Sequence, residues 1–94
     1  MTNHARAVSM PGASGVLFSY PVIYRGFTIR ETSGSAPAVV RIWNNSAASG
    51  VLLDTIQLPQ STDDRGMDPE GVWAEKGIYF EIVSGAVEGT VYYG

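Results

Sequence analysis

The chain contains no cysteine, so neither a disulfide nor a thiolate metal cage holds it together. Its one histidine, His4, stands near the N-terminus, ahead of any patterned segment. A hydrolytic triad needs an imidazole on a rigid support beside its nucleophile, and a nitrogen-ligated metal needs more than one such ring. Neither an enzyme of that kind nor a metal is expected. Charge is scarce too: Asp, Glu, Lys and Arg make up 16% of the 94 residues, against roughly 25% in an average soluble domain. Only six residues are basic and the formal net charge is −3. That is the wrong balance for displacing counterions from a phosphate backbone, so no nucleic-acid partner is expected. No apolar run approaches the ~18 residues of a spanning helix, and the first twenty residues lack the continuous apolar centre of a signal peptide. No membrane segment and no cleaved leader are expected. Neither G-x-x-x-x-G-K-[ST] nor G-x-G-x-x-G occurs, so no phosphate-binding loop and no cofactor is indicated.

What the chain does have is apolar residues, 45% of the total, spaced with period two. Ile78, Phe80 and Ile82 share one face of a strand; Tyr79, Glu81 and Val83 share the other. Ser84-Gly85 reads as a turn and Val87–Tyr93 as a return strand, which predicts a closing hairpin over Gly77–Tyr93. Such a hairpin is marginal alone and needs a covering layer from the other strands.

Upstream, Met1–Ser14 is weakly patterned and broken by Pro11-Gly12. It reads as an arm, either flexible or laid against a neighbour's sheet edge. Gly15–Tyr20 is a short strand that Pro21 either confines to an edge or ends. In Val22–Glu31, Gly26 marks a bulge or a close backbone approach. Thr32–Pro37 is a turn by composition. Ala38–Asn44 is a strand with Val40 and Ile42 on one face and Val39, Arg41 and Trp43 on the other. Val51–Leu58 has no purely apolar face, which places it at an edge or against a partner. Gln60–Gly71 reads as an acidic polar loop with at most one helical turn, followed by a short strand over Val72–Glu75. No segment keeps helical apolar spacing over three turns. The expectation is an all-β fold: a small antiparallel β-sandwich, or a barrel-like variant, of about seven short strands. It comprises an arm over residues 1–14 and a single domain over 15–94.

Few constellations carry chemistry. Asp63, Asp64, Asp68 and Glu70 offer oxygen ligands for calcium, but their spacing does not fit an EF-hand. A solvated loop, or one that meets a basic partner surface, fits the composition better. Glycoside hydrolysis needs rigid opposed carboxylates in a cleft; Glu81 and Glu88, expected on adjacent hairpin strands, are a pair of the kind that usually faces solvent. Aromatics on a sheet face can stack on a sugar, but these read chiefly as core and cross-strand packing, with Tyr92 a candidate for exposure.

From Arg41 onward, the order of pieces resembles a group of small tailed-phage virion proteins, the likeness covering roughly residues 38–94. The pieces are a strand ending in Trp43-Asn44-Asn45-Ser46, the small-residue loop Ala47–Gly50, and a strand closed by Pro59. Gly77-Ile78-Tyr79 opens the next, and a terminal strand ends in Tyr93. The N-terminal arm and residues 60–71 lie outside the likeness. The resemblance implies a β-sandwich on the exterior of the phage head, made in the host bacterial cytoplasm. Its expected role is capsid decoration, or cementing, with no reaction catalysed. The implied partners are the major capsid protein and further copies of the chain, with a trimer suited to a three-fold position. Candidate contacts are Arg6, Val8, Met10, Pro11, Leu17 and Tyr20. On this reading, loss of residues 1–12 weakens attachment and spares the fold. The alternatives are a carbohydrate-binding head-fibre domain and a tail or connector component.

Overall fold

A computed structural model describes residues 5–94. Among them there is no helix, and eight strands form two four-stranded antiparallel sheets. The strands are β1 (Arg6–Ser9), β2 (Gly15–Phe18), β3 (Val22–Glu31), β4 (Ala38–Asn44), β5 (Val51–Leu58), β6 (Asp63–Ala74), β7 (Ile78–Ser84) and β8 (Val87–Tyr93). The back sheet runs β1-β8-β3-β6 and the front sheet β2-β7-β4-β5. This is the expected small sandwich, with one strand more than anticipated.

The core lies between the sheets and follows the period-two pattern. The front sheet supplies Phe18, Val40, Ile42, Ile56, Leu58, Ile78 and Phe80; the back sheet supplies Val22, Tyr24, Phe27, Ile29, Ala74, Val87 and Val91. Val40, Ile42, Ile78, Phe80 and Val91 are fully enclosed. β2 and β5 are edges of the front sheet, as Pro21 and the mixed faces of Val51–Leu58 led us to expect.

Three expectations are corrected. The first concerns Gly77–Tyr93. β7 pairs with β2 and β4, whereas β8 pairs with β1 and β3, so the two strands are not a hairpin. They face each other across the core. Ser84–Ala86 carries the chain from one sheet to the other, with Gly85 at φ 84°. A Cβ on Gly85 would lie 2.7 Å from the Ala38 Cα and from the Pro37 carbonyl oxygen, so the crossing is open to glycine alone. Only β4 and β5 are both consecutive and paired; every other connection changes sheet.

The second correction concerns the arm. Residues 1–4 of that segment lie outside the described residues. Arg6–Ser9 pairs with Thr90–Tyr93 of the chain's own β8, and the Met10 N–H continues the ladder by donating to the Gly89 carbonyl at 2.9 Å. Met10 is buried in the core and Val8 packs against it. The segment that was to reach a neighbour therefore completes the chain's own back sheet.

The third is the acidic segment. Asp63–Ala74 is one strand, interrupted rather than looped, and it includes the expected short strand at its end. Its polarity reflects its place as an edge, not the absence of structure. Opposite Arg25 of β3, four residues, Asp68–Gly71, bulge out of β6. The Asp68 carboxylate closes the bulge by accepting from the Glu70 and Gly71 N–H groups at 3.2 and 3.1 Å. Arg25 Nη1 donates to the Pro69 carbonyl at 2.6 Å. The irregularity expected at Gly26 lies here: Gly26 has φ 127°, and a Cβ would meet the Gly66 carbonyl oxygen at 2.0 Å.

At the other end of β3, the buried Glu31 ties two connections to the core. Its carboxylate accepts from the Ser33 hydroxyl, from the Ser33 N–H at 2.6 Å, from the Gly34 N–H at 2.9 Å and from the Ser61 N–H at 2.8 Å. These donors, the Ser33 hydroxyl foremost, stabilise the ionised form and hold its pKa at about 2, below the ordinary 4.5. The folded state therefore binds this proton less readily than the unfolded chain. The resulting stabilisation is complete above pH 4.5 and is lost as pH falls toward 2.

Two predictions follow from this packing. Met10→Ala should cost about 2 kcal/mol or more, and Phe80→Ala about 3–5 kcal/mol, by denaturant unfolding. Deletion of residues 1–12 should lower the melting temperature markedly, because it removes an edge strand and a core side chain. Second, Glu31→Gln should be less stable than the parent at pH 7, and its stability should depend less on pH between 4.5 and 2.

Candidate interaction surfaces

With the inner faces consumed by the core, any recognition falls to the outer faces and edges. On the front sheet the register places Val16 beside Tyr79, Tyr79 beside Trp43, and Trp43 beside Leu52. Each flanks an inward residue: Tyr79 stands between the enclosed Ile78 and Phe80, and Trp43 follows Ile42. The four side chains thus form an unbroken apolar row across β2, β7, β4 and β5. Val16 and Leu52 are 46% and 43% exposed, and Val51, beside Leu52, is 65% exposed. Trp43 and Tyr79 are half-buried in the middle of the sheet. Trp43 Nε1 donates to Glu81 at 3.0 Å, which fixes the indole against the sheet. Arg41, paired with Glu81 and Thr55, begins the polar part of this face.

The back sheet has a different outer face. Ser9, Thr90, Thr28 and Arg65 form one row across its four strands, and Glu88, Arg30 and Asp63 the next. All of these but Thr90 line an open depression. Arg30 and Glu88 are 2.9 Å apart with both side chains largely in water. Such a pair contributes little to stability. Toward the opposite end, Trp73 stands beside Ile23 on this face and is 59% exposed.

Of the candidate contacts, Arg6 and Tyr20 are exposed and Pro11 is half-buried. Val8, Met10 and Leu17 are committed to the chain's own core. Arg6, Val8, Met10 and Pro11 lie together on β1 and just beyond it, while Leu17 and Tyr20 lie on and after β2. The Tyr20 ring meets Phe18 edge-on, with centroids 5.5 Å apart, and Phe18 in turn lies 4.5 Å from Tyr93. Sequence reasoning missed the apolar row. Its signal was present in the outward parity of Trp43 and Tyr79, but only the register makes them neighbours. Tyr92 is half-buried on the outer face of the back sheet.

The carboxylate pair is corrected as well. Glu81 lies on the outer face of the front sheet and Glu88 on that of the back sheet, so they share no cleft. Along β6, Asp63, Asp64, Asp68 and Glu70 are spread out. Among the described residues no three His, Cys, Asp or Glu side chains are grouped to hold a metal ion. The most perturbed tyrosine, Tyr24, joins the sheets: its hydroxyl donates to Asp54 at 2.9 Å. Burial, then the Asp54 charge and this hydrogen bond, push its pKa far above the ordinary value and keep it neutral.

Comparison with known proteins returned no matching family model, no matching curated protein and no matching solved structure.

The row should behave as surface, not core. Val16→Lys and Leu52→Lys should each change stability by no more than about 0.5 kcal/mol. Trp43→Phe, which deletes the donor to Glu81, should cost about 1 kcal/mol in denaturant unfolding.

Proposed function

We propose that this chain is a structural protein of a tailed-phage virion, bound to the outside of the head, where it clamps neighbouring major capsid subunits. The observation that carries the reading is the apolar row Val16–Tyr79–Trp43–Leu52, laid across a whole sheet of a small, sparsely charged protein. Contiguous exposed apolar surface on a small domain is characteristic of contact sites. Trp43 and Tyr79, at the middle of the row, belong to the pieces by which the sequence resembles small virion proteins. A clamp needs a stiff body and repeated contacts. A shell that presents the same surface many times multiplies a modest individual affinity, so each contact need bury little area. Association of the chain with its own copies, a trimer at three-fold positions included, fits the same symmetry.

Trp73 favours a second reading, a sugar-binding domain of a head fibre. Its ring is exposed on a sheet face, where an aromatic can stack on a pyranose. Binding of the isolated protein on a glycan array, lost in Trp73→Ala, would move the assignment there.

Incubation with undecorated phage heads, followed by particle imaging, tests the first reading. Wild-type protein should occupy symmetry-related positions at high copy number. A Val16→Lys, Leu52→Lys double variant should need at least about tenfold more protein for equal occupancy. Absence from heads, a single low-copy ring at the tail, or turnover of a substrate would contradict it.

A further inference from the structure

The outer face of the front sheet matches itself across its midline. β7 and β4 are the two central strands, with β2 outside the first and β5 outside the second. Across the line between them, Tyr79 stands beside Trp43 and Glu81 beside Arg41. Val16 and Leu52 flank the aromatic pair, each one strand further out. Beyond the charged pair, Val39 of β4 and Val83 of β7 continue the apolar surface. Each half of the face therefore carries an aliphatic residue, an aromatic ring, a charge and a valine, and the charge is of opposite sign in the two halves. Among the described residues Arg41 forms no ion pair, although Glu81 is its neighbour in the register; Glu81 accepts from the Trp43 indole.

This arrangement selects the occupant. A two-fold contact is isologous: what residue i of one copy does to residue j of the other, j also does to i. A second copy laid face to face about an axis parallel to the strands, between β4 and β7, sets Tyr79 of each copy on Trp43 of the other. The same operation sets Val16 on Leu52, Val83 near Val39, and Arg41 on Glu81. The four charges then alternate in sign around the axis, so each faces its complement. Sheets commonly pack with their strands aligned in this way. An axis across the strands does not serve. Trp43 is one residue from the end of β4 and Tyr79 one from the start of β7, so that rotation carries Arg41 and Glu81 past the strand ends and leaves them uncovered. We propose that the free protein pairs with a second copy through the outer faces of the two front sheets. Four strands ~4.8 Å apart and about seven residues long at ~3.4 Å each give a face of roughly 450 Å² in plan. That is about half of the ~800 Å² per partner of a stable interface, so the pair is reversible. It covers the apolar row and opens before the row meets any other surface. The inference rests on this face alone and stands whether or not the chain belongs to a virion.

Sedimentation of the full chain over a concentration series reaching about 0.5 mM tests it. The wild-type mass should climb toward twice that of one chain. Arg41→Glu and Glu81→Arg, which set like charges against each other across the axis, should each weaken association at least about tenfold. An equal mixture of these two variants should associate again, and so should the chain that carries both substitutions. On dilution of the wild type, amide shift changes should centre on residues 39–43 and 79–83 and spare Ile23 and Trp73 on the back sheet. The proposal is overturned if the wild type stays at the mass of one chain, if either single variant associates as the wild type does, if the mixture does not recover, or if the shifts fall on the back sheet. The dilution series needs no variant, so a substitution that prevents folding does not block the test. No phage head enters these measurements, so their outcome is separate from that of particle imaging.

Discussion

Every surface of this protein depends on the chain leaving the front sheet at Ser84 and entering the back sheet at Val87. That crossing, possible because Gly85 lets the backbone pass against Pro37 and Ala38, sets β7 and β8 on opposite sides of the core. It brings Ile78 and Phe80 inward from one sheet and Val87 and Val91 inward from the other. It also frees the outer flank of β7 to lie between β2 and β4, which is what aligns Val16, Tyr79, Trp43 and Leu52. Had the two strands paired, Tyr79 would have had a different neighbour and the row would not exist. The repeated changes of sheet have a further effect. Almost no stabilising pair is local in sequence, so the chain must close long loops before contacts reward it, the regime of slow β-sandwich folding.

Much of the fold was legible. Alternation put Val40 with Ile42, and Ile78 with Phe80, on shared faces, Pro21 marked an edge or an end, and Gly26 marked an irregularity. What alternation does not encode is the partner of each strand. A hairpin and a sheet-to-sheet crossing share the same period and the same Ser-Gly turn chemistry, and the choice between them is made by packing against Pro37 and Ala38, far away in sequence. Asp63–Ala74 failed for another reason. An edge strand is bonded on one side only and keeps a polar composition, so it looks like a loop. Residues 6–10 failed because the burial of Met10 and Val8 depends on a groove that only the finished back sheet provides. The same gap hid the interaction surface: the parity of Trp43 and Tyr79 could be read, their adjacency could not.

Our functional proposal starts from this division of labour. The core uses the inner faces, Glu31 and the Tyr24–Asp54 contact secure the connections and the open side, and little is left to form a cleft. What remains is a row of apolar side chains on one outer face and a more polar surface on the other. Our proposal for a virion surface is built on the row.

The decisive observation is the assignment of strand neighbours in solution from cross-strand backbone nuclear Overhauser effects. The structure predicts contacts of Tyr79 with Trp43 and Val16, and of Val91 with Phe27 and Val8, with no ladder between β7 and β8. A continuous ladder joining residues 78–84 directly to 87–93 would mean a hairpin, and would remove both the core and the outer row described above.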